Sequence, residues 1–356
     1  MALWVSTGLG ASARFPFCAD SRGPNVKRRS LLVGAVKSVV VGAVAYSRTP
    51  YAVSQTRYGR FLNSPVATKI SGGRTFSPQV FVDNQSVYEL IPDRLYRVGC
   101  TVKAERLSWL PADLEAFEPL NCYLLIDGDL AFFVDTGMAI SEPAVGLAMQ
   151  EIVRERDIHV TFTRNEADCI GNLGFVLGTA EEPTLMFGGV GGILEWINDP
   201  SAAQLETRDF LDKVPVEQVA SPTRNNYGDL TLRWLDAGVK EMFLTQWVFE
   251  EKTGCLFTSD TYGFRHLNSS QATPVIESVR NLPSVDAVAR EFAERINWLP
   301  GSHYPEVIAR LKSIFAELDV QMIAPVHGCV LKGRDVVAAH VDLSIKALEA
   351  AAALPA

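Results

Sequence analysis

The pattern of apolar and polar positions predicts a series of β-strands, and a hairpin is its clearest part. Two apolar segments, 121–126 and 130–134, flank the dipeptide Asp127-Gly128, which is a preferred hairpin turn. A run of apolar and β-branched residues over 158–163 predicts a buried strand. The same criteria predict further strands over 87–91, 95–98, 184–187, 230–235, 242–249 and 255–258. Apolar residues at helical spacing predict helices over 142–156, 285–296, 306–318 and 335–352.

A cluster of polar residues directly follows the strand predicted over 158–163. It contains Arg164, Glu166 and Asp168, and residues 169–173 then predict the first turn of a helix. Ionisable groups between a strand end and a helix N-terminus are a common way to build a site, because the helix dipole favours anions there. The alternative is that Glu166 and Asp168 are ordinary carboxylates at the entry to a helix.

Composition indicates a folded protein and argues against nucleic acid as a partner. With 47% hydrophobic and 21% charged residues, the 356-residue chain can bury a large core. Residues 1–80 hold eleven Lys and Arg and one acid, which leaves 22 basic and 40 acidic residues, a charge of −18, for the remainder. A body of this charge lacks the basic face that binding to phosphate groups requires.

The N-terminal segment differs from the rest of the chain. Its acid-poor sequence, which contains Arg and Ser, resembles an organellar transit peptide, and the basic residues before its apolar run offer a twin-arginine export signal as the alternative. The apolar run 31–45 is short for a membrane span and is interrupted by Lys37. We therefore predict that residues 1–75 are an unstructured or targeting extension. Residues 76–356 are predicted to form one domain, soluble in the cytoplasm or an organellar lumen and without an integral membrane span. Six cysteines without a CxxC pair predict no disulfide framework.

Several sequence blocks together resemble one known family. The hairpin ends at Asp135-Thr136-Gly137, residues 249–263 read FEEKTGCLFTSDTYG, and residues 321–328 read QMIAPVHG. With the loop over 164–171, these blocks resemble the metallo-β-lactamase superfamily, in the variant of its flavodiiron, or oxygen-binding di-iron, branch. The resemblance implies an α+β fold, a four-layer αββα sandwich with the metal loops along one edge. It implies no flavin, since the chain ends without the flavodoxin domain of full flavodiiron proteins.

By this resemblance, one of the two metal positions has lost its ligands. The positions of its histidines hold Arg164 and Ala237, and its carboxylates correspond to Glu166 and Asp260. A guanidinium is always protonated and cannot bind a metal ion, and alanine offers no ligand atom. We expect Arg164 to pair with Glu166 or Asp260 and to take the place of one ion electrostatically, so that at most one metal ion binds.

The second metal position keeps four groups that can bind a metal ion, namely Asp168, Cys169, Asp260 and His327. Asp168 is also the expected catalytic residue, and the resemblance gives Asp135 a supporting role beneath the loop. A cysteine in place of a histidine favours Zn²⁺ over iron–oxygen chemistry. A neighbouring guanidinium and a helix N-terminus are expected to lower the pKa of a free Cys169 thiol.

Three functions are compatible with these residues. The first is a mononuclear metal-dependent hydrolase of a small ester, thioester or similar substrate, since a bound ion lowers the pKa of its water to about 7. The second is a metal-free, catalytically degenerate domain that binds a small molecule or a protein partner. The third is a di-iron oxygen or redox protein, which needs the lost metal position. The expected cofactor is one divalent ion, zinc first, or none. The expected partners are small molecules, and homodimers are common among related folds.

Overall fold

The computed structural model describes residues 86–103, 116–180, 182–187, 214–219, 221–241, 244–265, 274–296, 299 and 303–352. The predicted extension over residues 1–75 lies outside the described residues, as do Met242 and Phe243 at the start of one predicted strand. The division of the chain at residue 75 therefore stays a prediction.

The first sheet is built around the predicted hairpin. Strands β1 to β7 are Ser86–Ile91, Leu95–Lys103, Phe117–Asp127, Leu130–Val134, Asp157–Thr161, Thr184–Phe187 and Val216–Gln218. They lie in sequence order, with β1 to β4 antiparallel and β4 to β7 parallel. The hairpin turns at Gly128, whose φ of 56° suits glycine. Because β4 and β5 are parallel, the segments that follow them leave the sheet at the same edge.

The second sheet follows in sequence and supplies the other half of the molecule. Strands β8 to β14 are Thr223–Tyr227, Leu230–Asp236, Gln246–Glu250, Cys255–Phe257, Val275–Ile276, Met322–Ala324 and Val330–Lys332. Their order across the sheet is β12-β14-β13-β11-β10-β9-β8. Strands β11 and β13 are parallel neighbours, so the segments after them, which carry Asp260 and His327, also leave their sheet at a common edge.

The two sheets pack face to face and are covered by helices on their outer faces. Apolar side chains from both inner faces, among them Phe132, Trp234 and Phe257, form one buried cluster. Trp234 Nε1 also donates a hydrogen bond across the sheets to Thr161 Oγ1 at 3.0 Å. Helices α1 to α3, which are Glu142–Ala148, Ala167–Ile170 and Leu173–Gly178, cover the first sheet. Helices α4 to α6, which are Val285–Arg295, Tyr304–Glu317 and Arg334–Ala352, cover the second. The predicted four-layer αββα sandwich is confirmed.

The predicted helices are found near their expected bounds, with two differences. The helix predicted over 142–156 is α-helical to Ala148 and continues as a π-helical turn over Met149–Val153. The helix predicted to start at residue 169 begins at Ala167 and has four residues. Within the described part of the chain, no helix has the length and apolar character to cross a membrane.

Candidate functional site

The loop after β5 is hydrogen-bonded to a buried carboxylate. Asp135, directly after β4, accepts hydrogen bonds from the Thr163 backbone N–H at 2.8 Å and from the Thr163 hydroxyl at 2.9 Å. Burial raises the pKa of Asp135 to about 7, although both hydrogen bonds from Thr163 act in the opposite direction. These hydrogen bonds tie Asp135 to the start of the loop, and its supporting role stays a prediction.

Arg164 lies at the centre of the site and pairs with three carboxylates. Its side chain is 3% exposed; Nε lies 2.8 Å from Glu166 Oε2, and Nη1 lies 2.5 Å from Asp260 Oδ2. Nη2 donates to Asp168 Oδ2. Burial lowers the pKa of Arg164, but the charges of Asp260 and Asp168 outweigh it and raise the pKa well above its ordinary value. The guanidinium is therefore a fixed positive charge.

His327 faces carboxylates with both ring nitrogens. Nε2 lies 2.6 Å from Asp168 Oδ2 and 3.4 Å from Asp260 Oδ1, and Nδ1 lies 3.3 Å from Glu118 Oε1. Burial lowers the pKa of His327, but the charge of Asp260 and the hydrogen bonds with Asp168 and Glu118 raise it to about 10. Because a ring nitrogen that faces a carboxylate must carry a proton, the ring is an imidazolium.

The turn that carries His327 is fixed from two sides. Asn121 Nδ2 on β3 donates to the carbonyl oxygens of Pro325 at 2.8 Å and Gly328 at 2.7 Å. On the other side, a Cβ atom at Gly263 would overlap the His327 carbonyl oxygen, so only glycine fits where the two site turns meet. The backbone position of His327 is therefore fixed by Asn121 and by the close approach of Gly263.

The structure brings together three of the four predicted metal ligands. Ligand atoms of Asp168, Asp260 and His327 all lie within 4.8 Å of one another. Cys169 does not join this group: it is fully buried in the apolar core beneath the helices of the first sheet, and its Sγ lies 3.7 Å from Thr163 Oγ1. The prediction that all four residues share one metal ion does not match this geometry, because the thiol faces the core. The catalytic role of Asp168 stays a prediction.

The predicted low pKa of Cys169 is wrong. Burial, followed by the negative charges of Asp135 and Asp168, raises the pKa of the thiol well above its ordinary value, and the charge of Arg164 does not compensate. The helix over Ala167–Ile170 has four residues, so it offers only a small dipole. The thiol is therefore protonated and unreactive at neutral pH.

Three charged residues of the site were not predicted from the sequence. Glu118 on β3 pairs with Arg295 on α4, and Glu241 lies beyond β9. Glu241 Oε1 accepts a hydrogen bond from Thr261 Oγ1 at 2.7 Å, and burial, followed by the charge of Asp260, raises the pKa of Glu241 to about 7. A glutamate within an apolar strand was an available signal for Glu118. Glu241 and Arg295 are distant in sequence from the other site residues, and only the folded structure brings them to the site.

The fold is a sandwich of the metallo-β-lactamase type, and the solved structures similar to it include flavodiiron proteins. Rubredoxin oxygen:oxidoreductase from Desulfovibrio gigas has a TM-score of 0.57 and 15% identity, over 74% of this chain and 61% of that chain. A variant flavo di-iron protein from Thermotoga maritima has a TM-score of 0.56 and 12% identity, over 74% and 62%. A diflavin flavoprotein fragment from Nostoc sp. has a TM-score of 0.56 and 17% identity, over 76% and 98%.

These comparisons confirm the resemblance at the level of the fold. This chain spans 61% and 62% of the length of the first two of these proteins. No protein-family model matches the sequence, and no curated protein is similar to it in sequence.

The expectation of a single zinc ion and no flavin is corrected by these relatives. The proteins that share the fold are named flavo di-iron protein, diflavin flavoprotein and oxygen:oxidoreductase, and these names refer to iron, flavin and oxygen. None of these names supports the predicted hydrolase activity or the preference for zinc.

The residues at this edge do not fit a di-iron centre. Iron sites in proteins draw on histidine and carboxylate ligands. Here Arg164 occupies the middle of the carboxylates, and Ala237, which the resemblance places at a histidine position, is buried in the apolar cluster of the second sheet. Two iron ions would require a buried guanidinium to remain beside them without its carboxylates, which is a costly arrangement.

Proposed function

We propose that this chain is a metal-independent, non-catalytic member of the flavodiiron-type fold, and that it acts as a binding domain. The observation that carries this proposal is the position of Arg164, which at 3% exposure pairs with Glu166, Asp168 and Asp260. The guanidinium occupies the place where a cation would have to contact the same carboxylates. A fixed charge of this kind supplies neither a redox centre nor a bound water of low pKa.

The other groups of the site support the same proposal. Asp168 is held by Arg164 and His327, and although burial raises its pKa, these two partners bring it well below the ordinary value. A carboxylate of this pKa is a weak base at neutral pH. His327 is an imidazolium that lies between Asp168 and Glu118, and the Cys169 thiol is protonated. Among these residues, none is poised as a general base or nucleophile.

Iron loading and catalytic turnover, measured on the same protein, test the proposal. The purified full chain is incubated anaerobically with excess ferrous iron, passed through a desalting column and analysed for iron per chain. The consumption of oxygen and of nitric oxide with a reduced dye as the electron donor is then measured. We expect iron well below one ion per chain and no consumption above the protein-free rate. The flavo di-iron protein from Thermotoga maritima, treated in the same way, is the positive control. Two ions per chain with turnover would overturn the proposal.

A second candidate follows from the relatives and from one observation. Asp168, Asp260 and His327 offer ligand atoms within 4.8 Å of one another, which is close enough for a cation to contact all three. If Arg164 swung out of the site, these residues could contribute to an iron centre, and the chain would then be an oxygen-consuming oxidoreductase like the protein from Desulfovibrio gigas. Iron loading with turnover in the same experiment is the result that this candidate predicts.

A further inference from the structure

The charged site extends beyond Arg164 to a second buried arginine. The Glu118 side chain is fully buried, and its Oε1 receives Arg295 Nη2 as well as His327 Nδ1. Arg295 is 4% exposed, and its Nε lies 2.9 Å from Glu291 Oε2 on the same helix. Burial raises the pKa of Glu118, but Arg295 and His327 outweigh it and bring the pKa to about 2. Glu118 is therefore ionised between two cations.

Six residues form the group that we term the inner ionic cluster, and Glu166 and Glu291 extend it by pairing with Arg164 and Arg295. It comprises three carboxylates and three cations, namely Glu118, Asp168, Asp260, Arg164, Arg295 and His327. Their side chains are between 0% and 13% exposed. Mutual pairing of this kind avoids the penalty of a buried unpaired charge, which would be several kcal/mol for each ion.

The ion pairs of the inner ionic cluster connect elements of different layers. Arg164 follows β5 of the first sheet and pairs with Asp260, which follows β11 of the second sheet. His327 follows β13 of the second sheet and contacts Asp168 on α2 and Glu118 on β3. Arg295 ties helix α4, on the outer face of the second sheet, to β3 of the first through Glu118.

We propose that the inner ionic cluster is a structural lock, in which salt bridges between the two sheets and α4 hold together this edge of the sandwich. Arg295 is the second fixed cation of this lock and pairs with Glu118 as Arg164 pairs with Asp168 and Asp260. The inference goes beyond the proposed function, because the pairing of Glu118 with Arg295 does not require that the chain be free of metal.

The lock is tested by a double-mutant cycle on Glu118 and Arg295, measured by urea unfolding of the full chain in EDTA. Glu118→Gln leaves Arg295 and His327 without their shared carboxylate, and Arg295→Met leaves Glu118 with one cation fewer. We expect each single change to raise the unfolding equilibrium constant by about 100-fold or more, the usual effect of removing one partner from a buried pair. The double variant is expected to be at least about tenfold more stable than the product of the two single effects.

A matched control uses the surface pair Arg224 and Glu251, whose side chains are 54% and 31% exposed. The cycle of Arg224→Met and Glu251→Gln should be additive, because exposed pairs contribute little. Additive effects of Glu118→Gln and Arg295→Met would overturn the lock. If Glu118→Gln does not fold, a comparison of Arg295→Lys with Arg295→Met tests the lock instead, because both variants keep Glu118. We expect the urea midpoint of Arg295→Lys to stay close to that of the parent and the midpoint of Arg295→Met to fall. Equal midpoints for the two variants would overturn the lock.

The double-mutant cycle and the iron-loading experiment test two separate proposals, and either proposal can be refuted without the other. Strong coupling between Glu118 and Arg295 in a chain that binds two iron ions would remove the proposed function and leave the part of the lock that these two residues form. Additive effects in a chain that binds no iron would remove the lock and leave the proposed function.

Discussion

Removal of the Arg164 charge is the perturbation from which we expect the largest effect on stability. Arg164→Met keeps an unbranched side chain of similar length and removes the guanidinium. Glu166, Asp168 and Asp260 then lose their common cation, and only His327 remains beside two of them. The cost of stripping one partner from a buried ion pair is about 3–5 kcal/mol. We take about 4 kcal/mol, because the Arg164 side chain is 3% exposed and solvent screens its pairs very little.

Urea unfolding in EDTA measures this loss as a shift of the midpoint. With an m-value of about 3 kcal/mol per molar urea, a loss of about 4 kcal/mol lowers the midpoint by more than about 1 M. Arg164→Lys should fall between the parent and the methionine variant, because an ammonium keeps the charge and loses the fork geometry. Arg233→Met, at a site that is 26% exposed, is the control and should leave the midpoint nearly unchanged. An Arg164→Met variant as stable as the parent would refute the reasoning.

Three further predictions follow from the same contacts. In Arg164→Met, added Mn²⁺ should raise the melting temperature in differential scanning fluorimetry because freed carboxylates gain a cation, whereas the parent should show no shift. Cys169 should be alkylated at neutral pH only after unfolding, because its pKa lies well above the ordinary value; mass spectrometry of iodoacetamide-treated native protein checks this. The urea midpoint should depend on pH at both ends. The stability from His327 is complete below its ordinary pKa of 6.5 and is lost as pH rises through about 10, and that from Glu118 is complete above 4.5 and is lost as pH falls through about 2. A midpoint that stays flat from pH 6 to 10 would contradict the account of His327.

The hairpin and most of the helices were predictable from the sequence because their signals are local, whereas the four-layer arrangement was predicted from the family resemblance. The hairpin around Asp127-Gly128 and the apolar runs at the strands need no long-range information. The pairing of Arg164 with Glu166 and Asp260 was also predictable, since the family resemblance places these residues at one edge and a guanidinium among carboxylates must pair.

The parts of the site that were missed depend on side-chain direction and on distant packing. Cys169 follows Asp168 directly, but successive residues on a helix point in different directions, and the thiol therefore faces the core while the carboxylate faces the site. Arg295 lies four residues after Glu291 on α4, a spacing that is typical of a surface ion pair. Its second contact, with Glu118 on β3, exists only after the sandwich has formed.

A crystal structure of the parent chain after an anaerobic iron soak, with anomalous data at the iron absorption edge, tests the central claim most directly. The claim is that Arg164 is the cation of this site. The account predicts clear density for the Arg164 guanidinium within hydrogen-bond distance of Glu166, Asp168 and Asp260, and no anomalous peak beside it. An anomalous peak between Asp168, Asp260 and His327, with Arg164 turned away, would contradict it.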